Sequence, residues 1–244
     1  MIHFALAAPI VLALFSAIAV AQSESRDDVI KQIETKRAEL TVLEKKFLAP
    51  ADEDRAAYAE FLRQPDTGLI RLLPRDVYGR NDRTNNKSLT LNGGGAYYSF
   101  SRHTHEYGYG SDIELASGYL SVGFAGADYG MLTTLGDVPI EQVSIEHPGA
   151  QFMAAYNAPS EEPKARLEYR RFATGDTVED RRYQTRSPVA VGTTYLLRSI
   201  NYDTSDVLVA FRVTRKDTDG SVIIAWRLLK TYPKPELARN QSAQ

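Results

Sequence analysis

The residue types best suited to chemistry gather in a short stretch around residue 105. His103 and His105 are separated by one residue, so on a β-strand both imidazoles would point to one face and could bind a single cation. Glu106 and Asp112 could add oxygen ligands, and His147 could complete a three-histidine site for zinc or another divalent metal. Such a metal lowers the pKa of bound water, so with Glu106 as general base the site would be a metal-dependent hydrolase.

Aromatic residues surround these histidines and support a second interpretation. Tyrosine combines a flat apolar face with a polar edge, which suits stacking against sugar rings or peptides. Ten of the 16 glycines of the chain also fall between residues 93 and 136. A binding surface for a glycan, peptide or protein would then consist of Tyr97, Tyr98, His103, His105, Tyr107, Tyr109 and Asp112. A third interpretation is purely structural, with the rings facing the core and the glycines forming turns.

Composition excludes several other classes of site. The chain has 244 residues and no cysteine, so disulfides, thiolate metal sites and cysteine nucleophiles are excluded. Its 29 Lys and Arg residues against 31 Asp and Glu residues give a net charge of −2, which argues against a nucleic-acid partner. No Gly-x-Ser-x-Gly sequence occurs, so the usual serine nucleophile elbow is missing.

The elements that must position these residues are mainly β-strands. From about residue 88 the hydrophobic pattern has a period of two, and turn residues separate short apolar runs. The clearest turn is Lys216–Gly220, which joins strands predicted over Asp206–Arg215 and Ser221–Thr231 as a hairpin. Ala165–Phe172 is predicted to be another strand, and no helix of useful length is expected after residue 90. The expected fold is α+β, with a mainly antiparallel β domain over residues 88–232 that is sandwich-like or barrel-like.

A helical hairpin is predicted to precede the β domain, over residues 22–64. Its first helix has the 4-3-4-3 spacing of a coiled-coil seam, apolar at five of these six positions: Val29, Ile33, Lys36, Leu40, Leu43 and Phe47. The seam either packs on the protein's own domain or, through residues 25–47, joins copies of the chain into a homo-oligomer. Pro50 ends this helix, residues 65–87 are a predicted linker, and residues 233–244 are a predicted flexible tail.

The N-terminus has the pattern of an export signal. The first 22 residues carry no Asp, Glu, Lys or Arg, and the apolar run ends in Ala19-Val20-Ala21, a small-x-small cleavage pattern. This pattern predicts a signal peptide over residues 1–21 and a bacterial protein exported to the periplasm or beyond, and an uncleaved membrane anchor is the alternative. Taken together, these features favour an exported binding or interaction module without catalysis, with the metal-dependent hydrolase as the alternative function.

Overall fold

The structure is a computed structural model that describes residues 25–79, 87–108, 110–124 and 126–238. The predicted signal peptide, the polar stretch 80–86, Tyr109 and the last six residues lie outside the described residues. None of the described helices combines the length and the apolar character needed to cross a membrane.

Helices and antiparallel strands make up the described chain, which confirms the α+β class. The helices are α1 (Arg26–Leu48), α2 (Asp52–Ala57), α3 (Arg75–Tyr78), α4 (Gln151–Ala155) and α5 (Glu162–Thr174). The first strands are β1 (Thr67–Leu72), β2 (Tyr97–Tyr98), β3 (Ile113–Ala116), β4 (Tyr119–Ser121), β5 (Tyr129–Gly136) and β6 (Asp176–Val178). The remaining strands are β7 (Arg181–Tyr183), β8 (Arg186–Pro188), β9 (Thr194–Asn201), β10 (Ser205–Lys216) and β11 (Val222–Thr231).

Two antiparallel sheets organise the chain from residue 67 onward. The larger has the order β1-β11-β10-β9-β5 and the smaller the order β2-β3-β4-β8. The predicted hairpin is confirmed as β10 and β11, whose register runs from Val207 opposite Thr231 to Lys216 opposite Val222. The larger sheet is open, because β1 and β5 each have one neighbour, so the described strands do not close into a barrel.

The larger sheet is buried on both faces. One face shares a hydrophobic core with the smaller sheet, where Ile113 and Leu120 lie in the same cluster as Phe211. The other face is covered by helices, with Met153 of α4 and Phe172 of α5 in its cluster. All eight residues of β9 are buried as a result. A strand buried on both faces has a near-continuous run of buried residues rather than a strict alternation of buried and exposed ones.

Helix α5 shows that the prediction of a strand over Ala165–Phe172, and of no useful helix after residue 90, is wrong. Leu167 and Tyr169 alternate with charged residues and so imitate a strand, but both are exposed. The helix buries only the first and last residues of the predicted strand, which share one helical face. Pro163 lies at the start of the helix and Gly175 just beyond its end, at a φ of 88°. Both are sequence signals that favour a helix over a strand in this segment.

Strand β1 lies inside the segment 65–87 that the sequence suggests is a linker. Its residues pair with β11 along the whole strand, from Thr67 opposite Arg227 to Leu72 opposite Val222. Ile70 and Leu72 are buried, and the residue between them is not, so this strand has the alternation of a half-buried edge. Residues 67–72 of this segment are therefore part of the main sheet rather than a connection between domains.

The predicted helical hairpin is reduced to one long helix followed by short turns. Helix α2 has only six residues, and a single 3-10 turn, Phe61–Arg63, follows it. Phe61 is buried with Ile140 and Ala225, so tertiary packing rather than helix periodicity determines this segment. By its internal contacts the chain divides into two units at residue 42, so α1 begins in the first unit and ends in the second.

The described part of the predicted tail is hydrogen-bonded to other segments of the second unit. The backbone amide of Asp203 donates to the carbonyl oxygen of Pro235 at 2.8 Å, and that of Ala238 donates to Ser160 at 2.7 Å. Residues 233–238 have no regular secondary structure, but these bonds fix their path.

Candidate functional site

Three of the residues of the predicted tyrosine surface are buried inside the protein. Tyr97 and Tyr98 are only 6% and 5% exposed, and Asp112 is completely buried. The Tyr97 hydroxyl donates to Glu114 Oε1 at 2.7 Å, and the Tyr98 ring packs edge-on against Phe100. Tyr97, Tyr98 and Asp112 are therefore packed mainly within the core, because both faces of β2 contact protein.

Asp112 is the centre of a buried hydrogen-bond network. Its carboxylate accepts from the backbone amide of Phe100 at 2.7 Å and from Asn201 Nδ2 at 3.0 Å. The same Asn201 nitrogen lies 3.0 Å from Ser199 Oγ. Burial raises the pKa of Asp112 to about 7, although these hydrogen bonds oppose the rise. The carboxyl group holds the two sheets together and has no access to a ligand.

The three histidines of the predicted metal site have separate environments. His105 Nε2 lies 2.8 Å from the backbone oxygen of Arg71, and burial lowers the pKa of His105 to about 4. His147 Nδ1 accepts from the backbone amide of Gly149 at 3.0 Å. No three His, Asp or Glu side chains among the described residues are arranged to hold a metal ion. The three-histidine hydrolase site, with Glu106 as its base, is therefore not assembled.

The backbone conformation at His103 explains why the His103 and His105 imidazoles are not aligned as they would be on a strand. This residue lies in a turn with a φ of 53°, and its amide donates to the Ser99 carbonyl oxygen at 2.8 Å. Strand alternation, which would have aligned the two imidazoles, does not apply to such a turn. His103 instead places its ring against Trp226, with centroids 5.4 Å apart, while the His105 ring contacts Tyr98 at 4.9 Å.

The other predicted site residues near this turn have ordinary packing roles. Tyr107 is half-buried, and its ring contacts Tyr97 with centroids 4.6 Å apart. Glu106 is half-buried, and its backbone amide donates to Thr104 Oγ1 at 3.2 Å. His103 is the one exposed side chain among the predicted ligand-binding residues that the structure describes.

A pocket beside His103 brings three basic side chains together. It has a volume of about 210 Å³ and is lined by Lys45 in the last turn of α1, by Arg55 of α2 and by His103. We call it the basic pocket. The rest of its described lining is apolar or aromatic apart from His105, and no Asp or Glu lines it. Sequence reasoning missed Lys45 and Arg55, because only the fold brings these two surface cations next to the histidine turn.

A second cavity shows the more usual balance of charge. A groove of about 1,320 Å³ lies between α5 and the segment that follows β11, and it is lined by three basic and four acidic side chains. Arg166 in this groove already pairs with Glu162 at 2.6 Å. Basic and acidic side chains therefore nearly balance in this groove.

The predicted seam of α1 faces solvent. Its apolar members are between 38% and 63% exposed, and they are Val29, Ile33, Leu40, Leu43 and Phe47. We call these five residues the α1 stripe. Helix α1 buries only Glu44 and Leu48, both in its last turns.

The α1 stripe and the basic pocket are thus two features of the described residues that the packing of the core does not explain. Comparisons of the chain with protein-family models, with curated proteins and with solved structures give no match.

Proposed function

We propose that the protein is an exported interaction module without catalysis, and that it assembles with further copies of itself through the α1 stripe. The observation that carries this proposal is the exposure of five apolar side chains at coiled-coil spacing on a helix of 23 residues. An isolated helix of this length is marginally stable in water, so its apolar face needs a partner surface.

A second copy fits the α1 stripe better than a lipid surface does. The sequence of α1 contains six basic and five acidic residues, whereas helices that lie on membranes usually have a strong cationic surplus. The seam also follows the narrow 3.5-residue repeat of helix pairs rather than a broad apolar face. Burying a half-exposed Leu or Ile contributes about 1 kcal/mol. A dimer would bury ten such side chains, and their summed free energy is comparable with an association cost of about 4–15 kcal/mol.

Export and the architecture of the body complete the proposal. Export is supported by the uncharged apolar N-terminus with its small-x-small ending, and by the absence of cysteine in a chain long enough to be stable through its core. We describe the body as sandwich-like, which the core shared by the two sheets supports.

The test is the solution mass of the mature chain by sedimentation equilibrium over a range of concentrations. We expect a multiple of the protomer mass, and a return to one protomer when Ile33→Glu and Leu40→Glu are introduced together. Ala38→Glu is the control for added charge, because it places one negative charge on the opposite face of the helix and should leave the mass unchanged. A wild-type chain that is monomeric throughout, or a double variant with the wild-type mass, would refute the proposal.

A further inference from the structure

We infer that the basic pocket binds a tetrahedral oxyanion, a phosphate or sulfate group that is either free or the end of a larger molecule. This inference goes beyond self-association and does not depend on it. Lys45 lies two residues from both Leu43 and Phe47 and is therefore not a seam position. A second copy bound at the α1 stripe would not need to cover Lys45.

The first argument is the uncompensated charge of the basic pocket. Neither Lys45 nor Arg55 forms a side-chain hydrogen bond or ion pair with any described residue. Two other arginines already have carboxylate partners: Arg71 pairs with Asp217 at 2.9 Å, and Arg215 pairs with Asp54 at 2.5 Å. The carboxylate next to Arg55 in sequence is thus already neutralised by another cation.

Lys45 and Arg55 carry like charges, share one pocket and repel each other, although water and salt weaken the repulsion. A bound anion turns that repulsion into attraction, so the basic pocket favours an anionic occupant over a neutral one.

The second argument is the type of the donors. Lys45, Arg55 and His103 line the pocket from three separate parts of the chain, namely α1, α2 and the turn before His105. An arginine offers a planar fork that matches two oxygens of a phosphate, and a lysine offers a compact charge for a third. Three donors from separate parts of the chain suit the several oxygens of a tetrahedral group better than the two coplanar oxygens of a carboxylate.

The third argument is that the rest of the lining of the basic pocket contributes no acidic side chain. His105 is part of this lining, but its Nε2 is engaged by the backbone oxygen of Arg71, and burial lowers its pKa to about 4. It is therefore neutral at neutral pH and shapes the pocket without adding charge. The volume of about 210 Å³ corresponds to about seven water molecules, enough for one oxyanion and a few attached atoms.

The sequence offers a built-in reporter for binding. Trp226 is the single tryptophan of the chain, and its ring lies 5.4 Å from the ring of His103. An anion that contacts His103 should therefore change the intrinsic fluorescence. We propose titrating the full mature chain with inorganic phosphate, sulfate and acetate at constant ionic strength, with calorimetry as a second readout.

The expected result is saturable binding of phosphate and sulfate, and weaker binding of acetate. The double variant Lys45→Ala/Arg55→Ala should weaken phosphate binding by about tenfold or more, a change of about 1.4 kcal/mol. Both side chains are exposed and unpaired, so the variant should keep the wild-type circular dichroism. The matched control Lys31→Ala/Lys216→Ala removes the same charge from exposed positions outside the pocket and should bind like wild type.

Three results would overturn the inference: no saturable phosphate binding by either readout, equal affinity for acetate, or equal weakening in the control variant. The source of the oxyanion is distinguished by comparing glycerol phosphate with phosphatidylcholine vesicles that contain phosphatidic acid. Binding of the soluble ester alone identifies a free metabolite, and binding of the vesicles identifies a lipid headgroup. Failure of this experiment would leave the mass measurement on the α1 stripe untouched, because the two features use different residues.

Discussion

Asn201 Nδ2 donates a hydrogen bond of 3.0 Å to Asp112 Oδ1, and 89 residues of sequence separate the two. Asn201 ends β9 in the larger sheet, and Asp112 immediately precedes β3 in the smaller one. Since burial raises the pKa of Asp112 to about 7, the two sheets are joined by a group that titrates near neutral pH. This bond makes the stability of the whole body sensitive to pH.

Replacing Asp112 by Asn should remove one component of that pH dependence. The pKa of Asp112 rises from 3.8 to about 7 on folding, so the folded protein retains a proton that the unfolded chain has lost. The free energy of unfolding must therefore fall as pH rises through this range, by at most about 1.4 kcal/mol per pH unit. Urea unfolding of wild type and Asp112→Asn across this range should show a difference that varies with pH and levels off above pH 7. Parallel curves would contradict the assignment.

His105 should contribute a slope of the opposite sign. Its pKa falls from 6.5 to about 4 on folding, so its stabilising contribution is complete above 6.5 and is lost as pH falls towards 4. His105→Leu leaves the Arg71 carbonyl oxygen without its donor and should cost about 1–3 kcal/mol at neutral pH. The deficit should shrink as pH falls from 6.5 to 4, measured by urea unfolding. His105→Gln keeps a donor, and a loss as large as that of the Leu variant would argue against the hydrogen bond as the cause.

The buried pair of Arg198 and Asp206 should be the most sensitive ionic contact of the body. Both side chains are under 5% exposed, and two hydrogen bonds of 2.9 and 2.8 Å join them. Asp206→Ala leaves a buried guanidinium without its counter-ion and should cost about 3–5 kcal/mol. Replacing both residues, as Arg198→Met/Asp206→Leu, should recover part of that loss, because no charge then remains buried. Chemical denaturation checks both values, and a cost near zero for Asp206→Ala would refute them.

Glu44 should hold the segment that follows residue 86. Its Oε1 accepts from the backbone amides of Thr90 and Leu91 at 3.0 and 3.1 Å, and from Thr90 Oγ1 at 2.7 Å. Glu44→Ala removes all three bonds and should cost about 1–3 kcal/mol. It should also speed hydrogen exchange at the Thr90 and Leu91 amides. Glu44→Gln retains an acceptor and should lose less, whereas unchanged exchange in the Ala variant would contradict this role.

Local patterns in the sequence were sufficient for the elements whose signals are consistent. The β10–β11 hairpin was predictable because Asp219-Gly220 forms its turn and apolar residues fill both arms. Helix α1 was predictable because no Gly or Pro interrupts its run. The sequence does not distinguish between the two interpretations of its apolar stripe, since heptad spacing alone does not say what covers a seam.

The remaining elements depended on information that is not local. In α5, the exposed Leu167 and Tyr169 produce a misleading period of two, and the boundary residues Pro163 and Gly175 carry the better signal. The burial of Tyr98 and Asp112 depends on their contacts with the larger sheet, which no spacing rule reveals. The basic pocket needs Lys45, Arg55 and His103 to meet in space, so it was not accessible to motif reasoning.

The pairing of β1 with β11 sets the moment at which the chain can finish folding. Leu72 leaves the ribosome long before its partner Val222. At about 5–20 residues per second, roughly 8–30 seconds of synthesis separate Leu72 from Val222. Contacts this distant in sequence also slow folding, and until β11 emerges the main sheet lacks one arm of its central hairpin. The nascent polypeptide therefore remains incompletely folded until β11 has been synthesised. An incompletely folded chain is the form of a protein that can be transported through a membrane in an extended state.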